Sequence, residues 1–209
     1  MPSAIARMGR QKRMSLKLPN KTAGSLYVLS GPSGVGKTTL RKALLKKNSG
    51  LRFSVSWTTR ARRSGEKAGK DYRFVSPEQF KKQILREGFF EWARVHNDYY
   101  GTPSKPVQAW LRQKRDVLLD IDVQGAGQVK RKMPEAVSIF ILPPSREELK
   151  RRLSRRRTES PQALRLRLRN AEKELADWPR FDYAVINADI HNALKALIAI
   201  LQAQHFRVR

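Results

Sequence analysis

Ser25-Leu-Tyr-Val-Leu-Ser30-Gly31-Pro32-Ser33-Gly34-Val35-Gly36-Lys37-Thr38 is the stretch that decides the fold. Its first half is a short apolar, β-leaning run, and its second half fits the pattern G-x-x-x-x-G-K-[ST]. Thr38 to Lys47 then carries Leu40, Ala43, Leu44 and Lys47 at helical spacing. A strand that ends in a Gly-rich turn and hands over to a helix is the context this motif requires. Gly31, Pro32, Ser33, Gly34, Val35, Gly36, Lys37 and Thr38 therefore read as a phosphate-binding loop for a nucleoside triphosphate. Its glycines let backbone N–H groups turn inward around phosphate oxygens, and the following helix N-terminus adds a favourable dipole. Lys37 is placed to reach the β- and γ-phosphates, and Thr38 to contact Mg2+. The motif does not say what accepts the phosphoryl group, or whether water does.

Working outward, Phe53-Ser-Val-Ser56 reads as a short strand and Tyr72-Arg-Phe-Val75 alternates like another. Ser76-Pro77-Glu78 is a helix start with Ser at the N-cap and Pro at N1, and the helix is expected to reach about Glu87, before Gly88. Phe89 to His96 and Tyr99-Tyr100-Gly101 resemble strands around a turn at Asn97-Asp98, and Ser104 to Arg115 is expected to be helical. Val117-Leu-Leu-Asp-Ile-Asp122 is a continuous apolar run ending in two acids, as a buried parallel strand would be, and Ser138 to Leu142 is another. Ser145 caps a further helix. Tyr183 to Ile186 is the last strand, and His191 to about Gln204 the closing helix. Strands alternating with helices mean an α/β fold with a mainly parallel sheet, from which the less apolar residues 57–102 form an excursion.

The 209 residues suffice for one well-buried core, and a hydrophobic content of 40% excludes disorder throughout. No run approaches the roughly 18 apolar residues of a membrane span. The absence of Cys excludes disulfides, thiolate metal sites and a Cys nucleophile, which fits a reducing compartment such as the cytoplasm. Lys and Arg number 44 against 18 Asp and Glu, a net charge of +26 that attracts polyanions. The charge is uneven: residues 1–24 carry six basic groups and no acid, and residues 150–169 carry nine against Glu159 alone. The first stretch lacks apolar periodicity and reads as a flexible basic tail, a possible non-specific contact for nucleic acid.

Asp120 and Asp122 sit at the end of the next strong parallel strand, where open α/β sheets place their ligands. Either one positions Mg2+ or its waters, or both cap the strand and pair with local Arg. The segments Ser56-Trp-Thr-Thr-Arg60-Ala-Arg-Arg63-Ser-Gly-Glu66 and Gly69-Lys-Asp-Tyr72-Arg-Phe-Val75 put Arg forks near Tyr hydroxyls, a composition suited to a phosphate dianion. Phe90-Glu91-Trp92-Ala93 and Asn97-Asp-Tyr-Tyr100-Gly-Thr102 add a lone carboxylate and a Tyr pair.

In order and spacing, S-x-T-T-R-x-x-R-x-G-E, G-K-D-Y-x-F-V, E-W-A, N-x-Y-Y-G-T and L-D-I-D-x-Q-G resemble the guanylate kinase family, from about Gly24 to residue 204. The resemblance implies a P-loop kinase fold: a parallel five-stranded core sheet, a small inserted GMP-binding subdomain and a helical lid. By it, residues 1–23 are the tail, 24–55 and 103–145 the core, 56–102 the insert, about 146–169 the lid, and 170–204 the C-terminal core. It implies transfer of the γ-phosphoryl of ATP to GMP with Mg2+, with dGMP as an open second acceptor. Arg60, Arg63, Tyr72 and Tyr100 would hold the GMP phosphate, Ser56, Glu91 and Thr102 would read guanine, and Asp120 with Asp122 would serve the nucleotide–metal junction. Arg152, Arg156 and Arg167 match the lid arginines that join Lys37 in catalysis. The family commonly has Gly-Arg-Gly where this chain has Arg155-Arg156-Arg157, which leaves the assignment within the triplet open. Two other functions compete: a guanylate-kinase-like module that binds without catalysis, and a basic nucleic-acid-binding protein.

Overall fold

A computed structural model describes residues 23–95, 97–154 and 161–207; the basic tail and the Arg155-Arg156-Arg157 triplet lie outside the described residues. In chain order the elements are β1 (Leu26–Ser30), α1 (Lys37–Lys47), β2 (Arg52–Phe53), β3 (Trp57–Thr58), β4 (Arg73–Phe74), α2 (Pro77–Leu85), β5 (Phe89–Val95) and β6 (Asp98–Pro103). There follow α3 (Ser104–Arg112), β7 (Val117–Asp120), α4 (Val123–Lys132), β8 (Val137–Leu142), α5 (Arg146–Ser154), α6 (Pro161–Leu175), a 3-10 turn at Trp178–Arg180, β9 (Tyr183–Ile186) and α7 (Ile190–His205). Among the described residues no helix is long and apolar enough to cross a membrane.

β1 is buried along its whole length because it is the middle of a five-stranded, all-parallel sheet ordered β2-β7-β1-β8-β9. Successive side chains of a strand point to opposite faces. Tyr27 and Leu29 accordingly join Leu40 and Leu44 of α1 and Leu197 and Leu201 of α7 in one apolar layer. Leu26 and Val28 join Val107 and Leu111 of α3 and Ala126 and Val129 of α4 in the other. Helices on both faces let β1, β7 and β8 be apolar runs without alternation. The carboxyl ends of β1 and β7 thereby deliver the Gly31–Thr38 loop and Asp120 to the same edge.

A second sheet, ordered β4-β3-β6-β5, rises from this edge; only its β3–β4 pairing is parallel. Its core is aromatic, with Phe80 stacked on Phe89 (4.4 Å between ring centroids) and on Tyr99 (5.4 Å). Along β5 the register slips between Phe89 and Glu91, so Phe89, Phe90 and Glu91 are all buried.

Several elements end earlier than the sequence suggests. α2 stops at Leu85 and α3 at Arg112 by the same device: the Gly88 N–H donates to Gln83 O and Glu87 N–H to Ile84 O, while Arg115 N–H donates to Trp110 O and Lys114 N–H to Leu111 O. Each is a Schellman closure, with Glu87 (φ 50) and Lys114 (φ 60) in the left-handed position that glycine usually takes. The apolar run from Val117 ends as a strand at Asp120, and Asp122 is the N-cap of α4. The expected strand over 53–56 is only Arg52–Phe53, followed by the separate β3. The Ser76 cap stands as read, with Ser76 and Gln79 exchanging backbone and side-chain hydrogen bonds.

Candidate active site

The loop after β1 wraps on itself and is supported from behind. Gly36 has φ +98, and a Cβ there would come within 2.5 Å of Asn187 Nδ2, so neither the backbone nor the space admits a side chain. Asn187, at the end of β9, is buried and donates from Nδ2 to Val35 O at 2.7 Å. The Lys37 ammonium donates to the carbonyls of Gly31 and Pro32. Leu149 and Leu153 of α5 close over Gly34. Arg152, expected in a lid, donates to Val35 O (3.2 Å), Asn187 O (3.1 Å) and Glu148 Oε1 (2.7 Å), and it does not line the cavity described below. Arg167 of α6 donates to Ser33 Oγ at 3.0 Å, and the Ser33 N–H donates to Glu174 Oε2 at 3.2 Å. Arg156 lies outside the described residues.

Between α1 and the second sheet lies a cavity of about 670 Å3. Thr38 lines its phosphate-loop side and Asp120 the end of β7, while Ser56, Arg60, Arg63, Tyr72 and Tyr100 line the other side. The Arg60 guanidinium donates to Glu66 Oε1 (2.8 Å) and lies over the Tyr72 ring at 5.5 Å. Burial pushes the Glu66 carboxyl up, but hydrogen bonds from the Arg60 side chain and the Arg63 N–H outweigh it and hold the group below its ordinary value. The Tyr72 hydroxyl is pushed up to about 12 by burial and then by the Asp120 charge, so at neutral pH it remains a donor.

Glu91 and Thr102 do not line that cavity. They form a buried pair across β5 and β6, with Thr102 Oγ1 donating to Glu91 Oε1 at 2.6 Å. Burial raises the Glu91 carboxyl to about 7 against the Thr102 hydrogen bond, and the Asp122 charge adds to the rise. Its other oxygen lies under the first turn of α4: a Cβ on Gly125 would come within 2.4 Å of Glu91 Oε2.

The two aspartates differ. Asp120 is raised by burial and held back by Lys37 and Arg41; its Oδ2 stands 3.4 Å from Arg41 Nε. Asp122 is also raised by burial, and its Oδ1 accepts from the Gly125 N–H at 2.8 Å, the capping bond of α4. Among the described residues no three acidic or His side chains cluster as a metal cage. The Thr38 hydroxyl and these carboxylates are hard oxygen donors. Such a sparse set suits Mg2+ held mainly by phosphate oxygens and water.

Three residues of this region escape a reading of the sequence: Arg41, Asp71 and Asn187. Arg41 leaves a trace, since it sits in the apolar stripe of α1 between Leu40 and Leu44 and all three are buried. Asp71 and Asn187 are ordinary loop acid and amide in the sequence. Only the tertiary fold reveals their burial.

A phosphate loop at the end of the central parallel strand, facing a cationic cavity on an added sheet, defines a P-loop nucleotide phosphotransferase. Within that class the guanylate kinase family profile matches residues 23–204. A guanylate kinase of Caldanaerobacter subterraneus subsp. tengcongensis is 48% identical over 188 residues, covering 90% of this chain and 91% of its own. One from Symbiobacterium thermophilum is 45% identical over 190 residues, covering 91% and 90%. The crystal structure of guanylate kinase from Anaplasma phagocytophilum superposes with a TM-score of 0.77 at 37% identity, over 90% of this chain and 89% of that one. The chain belongs to the guanylate kinase family.

Proposed function

We propose that this chain transfers the γ-phosphoryl group of ATP to GMP, giving ADP and GDP. The observation that carries the reading is the cavity, which has Thr38 of the phosphate loop on one side and Arg60, Arg63, Tyr72 and Tyr100 on the other. Two guanidinium groups and two phenols suit a phosphate dianion, the reacting end of a nucleoside monophosphate. That acceptor is already a nucleophile at neutral pH, so no general base is needed. The chain then has to align two phosphates, neutralise their charge and exclude water. Lys37 and Arg167 are assigned to the donor phosphates together with Arg156, and Arg152 to bracing the loop through the Val35 carbonyl. Ser56, Glu91 and Thr102 are assigned to guanine, whose N1–H and 2-amino group are adjacent donors that one carboxylate can accept. Thr38, Asp120 and Asp122 would hold Mg2+, which when bound spreads the negative charge of the triphosphate. The 56–102 insert is the acceptor subdomain in this reading, and dGMP, with the same base and phosphate, is a candidate second acceptor.

The test is a coupled ADP-release assay with ATP–Mg2+ against GMP, AMP, CMP, UMP and IMP. GMP is expected to be the best acceptor, with IMP, which keeps N1–H but lacks the 2-amino group, between GMP and AMP. Equal rates with all five would overturn the reading. Lys37→Ala is expected to abolish turnover while calorimetric GMP binding persists, because Arg60, Arg63 and Tyr72 lie in the loop between β3 and β4 and Tyr100 in β6, away from the phosphate loop.

A further inference from the structure

Arg41 is 4% exposed although it is a permanent cation. A guanidinium in that position is tolerated only where opposite charge and hydrogen bonds replace its water. Here Nη2 donates to Asp71 Oδ1 at 3.2 Å, Nε stands 3.4 Å from Asp120 Oδ2, and the guanidinium lies 4.1 Å from the centre of the Phe53 ring. Among the described residues Nε has no hydrogen-bond partner, so one buried N–H is left beside Asp120. Asp71, buried in turn, also accepts from the Lys67 N–H (3.0 Å) and pairs with Lys42 Nζ (3.0 Å).

These contacts join three parts of the molecule that are far apart in sequence. Arg41 is four residues after Lys37, so both project from one face of α1. Asp71 belongs to the 67–71 turn and immediately precedes Tyr72, whose ring lines the acceptor cavity with Arg41 itself. Asp120 ends β7.

We propose that Arg41 is the positioning residue of the acceptor site: it clamps the 67–72 segment and Asp120 onto the helix that carries Lys37. The acceptor phosphate and the donor loop thereby share one rigid support. The inference rests on the acceptor reading of this cavity. Arg41 acts through Asp71 and Asp120, so its loss displaces the 67–72 segment while Arg60, Arg63, Tyr72 and Tyr100, the groups assigned to the acceptor phosphate, all remain. Lysine is no substitute, since a single ammonium cannot span two carboxylates as the fork does.

The experiment uses the full chain with Arg41→Met, Arg41→Lys, Asp71→Asn and the Arg41→Met/Asp71→Asn double variant. Arg41→Met is expected to raise KM for GMP about tenfold or more while KM for ATP stays within about twofold, a split that general destabilisation does not produce. Arg41→Lys should recover only part of this. The double variant should resemble Arg41→Met, because the second substitution removes a bond already lost. Asp71→Asn, which keeps the shape, serves where Arg41→Met fails to fold; it should give the same split at smaller size. Equal changes in both KM values, or none, would overturn the proposal. Hydrogen exchange without any nucleotide separates this failure from that of the acceptor reading. If the clamp exists, Arg41→Lys and Asp71→Asn speed exchange of residues 67–73 whichever monophosphate is the substrate, and unchanged exchange rejects it.

Discussion

Glu91, proposed above to read guanine, shows how strongly the burial of one side chain can tie its behaviour to pH. Its ordinary value of 4.5 is raised to about 7, chiefly by burial. In the free protein, therefore, the unfolded chain releases this proton before the folded one does as pH rises. Stability from this group is complete below about pH 4.5 and is lost as pH rises through 7, by about 3 kcal/mol in all. Glu91→Gln removes that dependence, so its stability relative to the parent should improve between pH 5 and pH 8 in urea unfolding. An unchanged difference would mean that Glu91 is already ionised in the folded protein. With Glu91 reading guanine as proposed, binding works in the opposite sense, since only the carboxylate accepts both of its donors. KM for GMP is thus expected to fall from pH 6 to pH 8, with Glu91→Gln losing the part of that fall not shared by the phosphate titration. The same variant should narrow the GMP-over-AMP preference at least about tenfold, because the amide oxygen satisfies one donor and its NH2 opposes the other.

At the level of elements, the two Schellman closures set non-glycine residues at positive φ, where an L side chain costs roughly 1 kcal/mol. Lys114→Gly and Glu87→Gly, both at exposed positions, should each stabilise the chain by up to about that amount in chemical denaturation. A loss of stability would show that these side chains contribute contacts that outweigh the backbone strain. Gly125 presents the reverse case. Replacing a helical Gly by Ala ordinarily helps by about 1 kcal/mol, yet here the new Cβ would press on Glu91 Oε2. Gly125→Ala should instead lower the melting temperature and raise KM for GMP several-fold. These elements also show where the sequence speaks and where it does not. β1, β7 and β8 are legible because strands buried on both faces must be apolar throughout, and α2 because Ser76, Pro77 and Gln79 form a cap that local chemistry dictates. The end of α3 is not, since no glycine marks its closure; at α2 Gly88 does mark the stop, but it stands one residue beyond the left-handed position, which Glu87 takes, so the last helical residue is not read from it. α4 carries Gly125 and Gly127 inside its span and gives no helical signal of its own. Asp122 reads as a strand end because an apolar residue, Ile121, separates it from Asp120, and only the capping bond distinguishes the two acids. Arg60, Arg63, Tyr72 and Tyr100 could be nominated from their pattern. The clamp through Arg41 could not, since charge inside a core is visible only once the core exists.

For the whole molecule, the +26 charge and the cationic cavity are separate matters. Residues 1–20 precede the first core strand, so their removal should leave kcat and KM for GMP nearly unchanged. The same truncation should weaken non-specific RNA binding and flatten its salt dependence, since fewer counterions are released. A loss of activity above tenfold would place the tail in the active site. The strand order has a consequence of another kind. Of the described strands β1 leaves the ribosome first, yet it pairs through Leu26 with Val117 and through Tyr27 with Val137. Until Asp120 has been synthesised this fully buried strand has neither of its neighbours, and until Leu142 it still lacks the second. Over the same interval the β5–β6 hairpin can close from local contacts alone. The second sheet should thus acquire order during synthesis ahead of the phosphate loop, and pulse-labelled refolding should protect residues 89–103 before residues 26–30. The nascent chain meanwhile carries an unpaired hydrophobic strand, the kind of surface that exposes a chain to aggregation until its partners are made.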